Sequence, residues 1–217
     1  MRPGPDYGRC LQPLGSRRTR SIGFCGRRWE RQHFGEYLDG TCSFAEQRHR
    51  RLRSLLAALD SVSEAADLDE LFALHDRHAE VARHLFDDVG PALRDLRRHR
   101  RHLRLGVLTN GNGPQRRAKL RQVGLGQALD VVVASSELGV AKPAAAAFLE
   151  ACDRLGTVPS ATIHVGDNLR IDAEGPTVAG LVAVWLQRDR QSAGGVRLAI
   201  ASLRQLPRLL ADITVAR

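Results

Sequence analysis

Three short segments in the second half of this 217-residue chain place polar groups where an anionic ligand could meet them. The sharpest is Thr162-Ile163-His164-Val165-Gly166-Asp167, an apolar strand that runs into a glycine and a carboxylate. Asn168 follows, and Asp172 lies five residues beyond Asp167. Two carboxylates and an amide at the end of a strand suit a hard, oxygen-seeking cation such as Mg2+. The same residues can also be read as a helix cap, Asp167, and a first-turn charge, Asp172.

The second segment is Leu108-Thr109-Asn110-Gly111. A hydroxyl, an amide and a glycine at a helix start can hydrogen-bond phosphoryl oxygens. They also make an ordinary turn. The third is Lys142-Pro143, where proline fixes a lysine at a helix start and its ammonium can offset anionic charge. Alone, such a pair also reads as a solvated helix start. Lys142 and Lys119 are the only lysines among 33 basic residues. A compact ammonium is not interchangeable with a guanidinium.

The elements that must position these segments follow from hydrophobic patterning. Beyond Arg104, short apolar runs at 105–108, 131–134, 162–165 and 181–186 alternate with helical stretches at 115–123, 144–155 and 169–178. Such alternation predicts an α/β fold with a parallel sheet and right-handed crossovers. Ligands on these sheets bind beyond the carboxyl ends of the strands. That rule gathers residues 109–111, 137–143 and 166–172 at one edge.

Before this core, residues 29–100 read as helices. Leu52, Leu55, Leu56 and Leu59 form one apolar stripe. Leu68, Leu71, Phe72, His75, Ala79, Ala82 and Phe86 form a second, and Val89, Ala92, Leu93 and Leu96 a third. Residues 1–28 are rich in Arg, Gly and Pro without periodicity and read as loop or disorder, with one apolar patch at 22–25. The expected organisation is therefore a basic segment over 1–28, a helical domain over 29–100 and an α/β core over 101–217.

Composition excludes several classes. No apolar run approaches the roughly 20 residues of a membrane span. The basic amino terminus lacks a signal-peptide core. Cys10, Cys25, Cys42 and Cys152 are scattered without a CxxC spacing, which argues for a reducing cytoplasm and against a zinc site. The net charge of +9 raises nucleic acid as a partner. Most of the excess lies in residues 1–31, where eight arginines face Asp6 and Glu30. The run Arg17, Arg18, Arg20, Arg27 and Arg28 encloses only Phe24, and the run Arg94, Arg97, Arg98, Arg100, Arg101 and Arg104 encloses no stacking aromatic. These runs read as solvated faces, with a non-catalytic nucleic-acid-binding protein as the alternative.

Taken together and in order, Thr109-Asn110, Lys142-Pro143 and Gly166-Asp167 through Asp172 resemble the second, third and fourth motifs of the haloacid dehalogenase (HAD) superfamily. Lys119-Leu120, Gly124-Leu125, Gly175 and Gly180 agree with that pattern. The resemblance covers roughly residues 105–186. It implies a Rossmann-like three-layer core with an inserted helical cap, which residues 29–100 fit. It also implies hydrolysis of a small phosphorylated metabolite through an aspartyl-phosphate. By carry-over, Thr109, Asn110 and Gly111 hold the phosphoryl group and Lys142 neutralises charge. Asp167 binds Mg2+, with Asp172 as a direct or water-mediated partner. A 2-haloacid dehalogenase is the related alternative.

The resemblance also implies an Asp-x-Asp-x-Thr/Ser motif ahead of the cap, on a strand central in the sheet. Only Asp6 stands there, in Pro5-Asp6-Tyr7-Gly8 and after no apolar strand. Asp6 is not assigned as the nucleophile, and the nucleophile stays unassigned. A displaced start, a shifted frame or a non-catalytic descendant would each account for this departure. The chain as written is expected to show little or no phosphatase activity.

Overall fold

A computed structural model of the chain describes residues 33, 35–37, 39–58, 68, 70, 71, 84–99, 102–188 and 198–215. The segment 1–28 with Asp6 and the 22–25 patch, and residues 72–83 of the second apolar stripe, lie outside the described residues. The chain divides into two compact units, Met1–Arg83 and His84–Arg217.

In the first unit, helix α1 spans Phe44–Ala58. It opens on a reciprocal cap. The Glu46 amide donates to Ser43 Oγ at 3.1 Å, and the Ser43 amide donates to Glu46 Oε2 at 2.7 Å. This pairing satisfies donors that a helix start leaves orphaned. Leu52 and Leu56 of the predicted stripe are half-buried. Buried His33 lies 2.9 Å from Ser54 Oγ and 3.2 Å from Glu36 Oε2, which also accepts from Arg50 at 3.0 Å.

The second unit begins with α2, Val89–His99, which the sequence pattern groups with the helices before it. Its Ala92 and Leu96 are buried, four residues apart on one face. Five strands follow. β1, Gly106–Thr109, pairs in parallel with β2, Val131–Ala134, with Thr109 opposite Ala134. β3, Ile163–Gly166, pairs in parallel with β4, Val182–Leu186, and β4 with β5, Ala199–Ile200. Among the described residues these strands form a two-stranded and a three-stranded sheet.

Helices α3, Gly113–Gln122, α4, Ser135–Leu138, and α5, Ala145–Leu155, connect the strands. α5 turns Ala147, Phe148 and Cys152 inward, and Leu108, Ala179 and Leu181 pack against that face. Complete burial of Phe148 contributes roughly 2 kcal/mol. The parallel α/β architecture expected from the alternation is thus present. Among the described residues, no helix is long and apolar enough to cross a membrane.

Two departures from the expected pattern shape the site. The stretch 169–178 is not one continuous helix. It is a π-helical turn, Leu169–Glu174, followed by the short α6, Gly175–Val178. Asn168 caps the wide turn by accepting from the Ile171 amide at 3.0 Å, and the turn carries Asp172 inward to 6% exposure. Beyond β5, the chain adds a helix absent from the sequence expectation, α7, Leu206–Val215.

Two charged residues staple the second unit. Arg97, from the basic run, donates to Leu103 O at 3.2 Å, Ala128 O at 3.1 Å and Asp130 Oδ2 at 2.9 Å. That carboxylate oxygen also accepts the Leu105 amide at 2.6 Å, which fixes the approach to β1. Asp88, 6% exposed, gathers three donors on Oδ2: Arg188 at 2.7 Å, Ser202 Oγ at 2.9 Å and the Leu203 amide at 2.8 Å. The Arg188 guanidinium lies 4.1 Å from the centre of the Phe86 ring.

Candidate active site

The three segments meet at the carboxyl ends of the strands. β1 ends at Thr109, half-buried, whose hydroxyl is 3.4 Å from Asn110 O. Asn110 is buried at 8% exposure. Its Nδ2 donates to Lys142 O at 2.8 Å, and its Oδ1 accepts from the Lys142 amide at 2.9 Å. Both kinds of polar atom on this side chain are therefore bonded to the Lys142 backbone. The Gly111 amide donates to Ser135 Oγ at 2.9 Å, and the Gly113 amide to Ser136 Oγ at 3.1 Å. These bonds lock the β1–α3 loop onto the start of α4.

Lys142 is 9% exposed, and its peptide bond to Pro143 is cis. Its ammonium donates to Asp172 Oδ1 at 2.6 Å, with side-chain exposures of 11% and 8%. His164 Nε2 lies 3.1 Å from the same oxygen, and Asp172 Oδ2 accepts the Asn168 amide at 3.2 Å. Burial pushes the Asp172 carboxyl up. The hydrogen bond from His164 and the charge of Lys142 outweigh it and hold the group at about 2. Asp172 is therefore a carboxylate near neutral pH, paired within the protein.

Glycines make the approach of these elements possible. A Cβ on Gly166 would collide with Cβ and Cγ of Asp172. One on Gly175 would come within 3.0 Å of Pro143 Cβ and 3.1 Å of Phe148. The Lys142-Pro143 segment and the turn carrying Asp172 consequently pack against bare backbone.

Asp167 has a different setting. It is exposed, its backbone carbonyl accepts Trp185 Nε1–H at 3.1 Å, and its carboxylate has no hydrogen-bond partner among the described residues. No group of three or more His, Cys, Asp or Glu side chains suited to a metal occurs among those residues. Magnesium keeps several waters and often takes one or two carboxylates plus substrate oxygens. An open carboxylate at a strand end, with the buried Asp172 charge beside Gly166, fits that habit.

The structure thus links Asn110, Lys142 and Asp172 directly, with Thr109 and Asp167 each one residue from a linked position. Sequence reasoning missed His164 and Ser135, and it read Asn168 as a cation-facing amide where the structure makes it the cap of the turn. A histidine between Ile163 and Val165 in an apolar strand was the available signal for the first. The Ser135-Ser136 pair after an apolar run was the signal for the second.

Comparison with known proteins agrees with this geometry. The model of the haloacid dehalogenase-like hydrolase family matches residues 19–180. Rat (Rattus norvegicus) N-acylneuraminate-9-phosphatase is 35% identical over 138 residues, which are 59% of this chain and 53% of the relative. The chain thus spans about half the length of that phosphatase. The (S)-2-haloacid dehalogenase 1 of Pseudomonas sp. strain CBS-3 is 28% identical over 99% of this chain and 90% of its own length. Among solved structures, the HAD-hydrolase YfnB from Bacillus subtilis, bound to magnesium, superposes with a TM-score of 0.77 at 22% identity. That match covers 92% of this chain and 86% of that one, and it speaks for the fold. With the family model covering most of the chain and Asn110, Lys142 and Asp172 linked at the carboxyl ends of the strands, this protein belongs to the haloacid dehalogenase-like hydrolases.

Proposed function

We propose that this hydrolase is built to act on phosphate monoesters of small metabolites with the help of Mg2+. The observation that carries the reading is the open carboxylate of Asp167 at the end of β3, next to the buried pair of Lys142 and Asp172. Carbon–halogen hydrolysis has no use for a metal-binding carboxylate there, so the site favours phosphate over a haloacid.

In this reading Asp167 holds the cation and Asp172 supplies negative charge behind it. Magnesium, when bound, offsets the charge of the phosphoryl oxygens. Lys142 donates one ammonium N–H to Asp172 in a hydrogen bond, which leaves two further donors for a phosphoryl oxygen. The Thr109 hydroxyl is a second donor. Asn110 acts one step back. Its amide grips the Lys142 backbone and sets the position of the ammonium. Gly111 serves through its conformation, since its amide is engaged by Ser135. The resemblance assigns substrate choice to the helical residues ahead of the core, and no substrate is named from them.

The nucleophile remains unassigned. Asp6 lies outside both the described residues and the family match over 19–180. None of Thr109, Lys142 and Asp167 replaces a carboxylate placed for in-line attack, so the chain as written should show little turnover. A version restoring Asp-x-Asp-x-Thr ahead of the cap should be active.

The test pairs calorimetric magnesium titration with turnover of an aryl phosphate and a panel of sugar phosphates. Asp167→Asn should weaken magnesium binding more than Asp172→Asn. Equal magnesium affinity in the wild type and both variants contradicts the assignment. Robust turnover that Asp167→Asn abolishes means the chain holds an unrecognised nucleophile, and Asp6→Asn is then the first substitution to make.

A further inference from the structure

We propose that His164 is a positioning residue, which fixes the Asp172 carboxylate so that the Lys142 ammonium is held in a single place. The proposal deepens the phosphate reading and rests on it for its functional meaning.

The geometry begins in β3, where His164 lies between Ile163 and Val165 with its side chain only 14% exposed. A buried imidazole needs a partner for its ring N–H. His164 finds one in Asp172 Oδ1, 3.1 Å from Nε2. The same oxygen accepts Lys142 Nζ at 2.6 Å. Because that oxygen belongs to a carboxylate, Nε2 carries the proton and donates it. The ring orientation is set from its other side. Phe148, fully buried, meets the imidazole edge-on at 5.2 Å between centroids and 84° between planes. Phe148 also packs beside Gly175 and belongs to the core cluster with Cys152 and Leu181.

A chain of fixed contacts therefore runs from the core to the ammonium: Phe148, His164, Asp172, Lys142. Asp172 Oδ2 has a backbone partner in the Asn168 amide. The oxygen facing Lys142 has only His164 as a second donor among the described residues. Lysine is a flexible point charge on a four-carbon stem, so its placement depends on what holds its acceptor. Asn110 anchors the Lys142 backbone, and His164 would anchor the acceptor of its tip.

The chain offers a readout that needs no catalysis. It has only two lysines, Lys119 and Lys142. Competitive acylation of the full chain, read by mass spectrometry, reports how well the Lys142 ammonium is held, with Lys119 as internal reference. Three forms are compared: wild type, His164→Leu, which keeps an apolar side chain without a donor, and His164→Gln, which restores a terminal N–H. Thermal unfolding confirms that each is folded, and His164→Met replaces the leucine variant if that form does not fold. In parallel, calorimetry measures binding of inorganic phosphate with magnesium.

His164→Leu should raise Lys142 acylation relative to Lys119 by about fivefold and weaken phosphate by about tenfold, in keeping with loss of a hydrogen bond to a charged group. His164→Gln should stay within about twofold of wild type in both measurements. Unchanged Lys142 acylation in His164→Leu overturns the proposal. So does equal impairment in the leucine and glutamine variants, since packing alone would then account for the residue. If the acylation pattern holds but wild type binds no phosphate, His164 still positions Lys142, and it is the phosphate reading that falls.

Discussion

Asp88 and Asp172 are both 6% exposed, and both carboxyls are held below the ordinary aspartate range against a burial that pushes them up. Their partners differ in kind. Asp88 takes a backbone amide, a hydroxyl and a guanidinium, all on Oδ2, from residues more than 95 positions away in the chain. Its Oδ1 has no partner among the described residues. Asp172 spreads its bonds over both oxygens, and its nearest partner is an ammonium at 2.6 Å. A guanidinium packed on Phe86 and a backbone N–H cannot turn toward a ligand. An ammonium with spare donors can. The first aspartate ties the fold together, and the second holds a charge in readiness.

The most damaging way to probe this contrast is Asp88→Ala. It strands a guanidinium, a hydroxyl and a backbone amide at once, and should lower stability by about 3 kcal/mol. Urea denaturation measures this, and a loss below about 1 kcal/mol would mean that Asp88 is not a staple. Gly166→Ala comes next. The added methyl must push Asp172 away, at about 2 kcal/mol from overpacking, and Lys142 should then acylate faster as its acceptor shifts.

Acid separates the two aspartates further. A carboxyl whose folded pKa is depressed adds stability above its unfolded pKa, and that stability is lost as pH falls through the folded value. For Asp172 the window runs from the ordinary 3.8 down to about 2, and integrates to roughly 2 kcal/mol. Asp88 is also held low and titrates in the same direction. The difference between wild type and Asp172→Asn in urea midpoint against pH therefore isolates the Asp172 share. Identical slopes below about pH 4 would show that the pairing contributes nothing. The smallest effect belongs to Asp167→Asn. An exposed carboxylate without a partner among the described residues should change stability by less than about 0.5 kcal/mol on substitution, whatever it does to magnesium.

Much of the core was legible because its signals are local. The 131–134 run is β2, residue for residue, and β3 and β4 lie within one residue of their expected bounds. Each apolar run is closed by a polar residue, Ser135, Asp167 or Gln187, which leaves little freedom there. The parts that were not legible depend on distant partners. Nothing near Asp88 in sequence announces Arg188 or Ser202. Nothing near Asp172 announces that Lys142 and His164 would draw it inward and widen the turn it sits on. β5 has two residues, too few for an alternating pattern to register. α7 was readable in principle. Ser202 and Gln205 form a capping box just ahead of it, and Leu206, Leu209, Leu210 and Ile213 fall at helical spacing.

The double grip of Asn110 on Lys142 bears on how the protein ages. Residues 110–113 read Asn-Gly-Asn-Gly, the pairing most prone to deamidation, in which the glycine amide nitrogen attacks the asparagine side-chain carbonyl. At Asn110 that carbonyl is tied to the Lys142 amide and the attacking nitrogen is tied to Ser135, deep in a buried loop. At Asn112 the side-chain carbonyl accepts the Gln115 amide at 3.0 Å and the attacking Gly113 nitrogen is engaged by Ser136 at 3.1 Å, but Asn112 is exposed where Asn110 is buried. Stored protein should therefore lose the Asn112 amide first, through a succinimide that opens to aspartate, which still caps the helix, and to isoaspartate, which lengthens the backbone there and loses the cap. Loss of the Asn110 amide would come late and would matter, because the new carboxylate would face the Lys142 carbonyl oxygen. The loop beside the site carries two chemical clocks of the same make, and the fold has buried the one that counts.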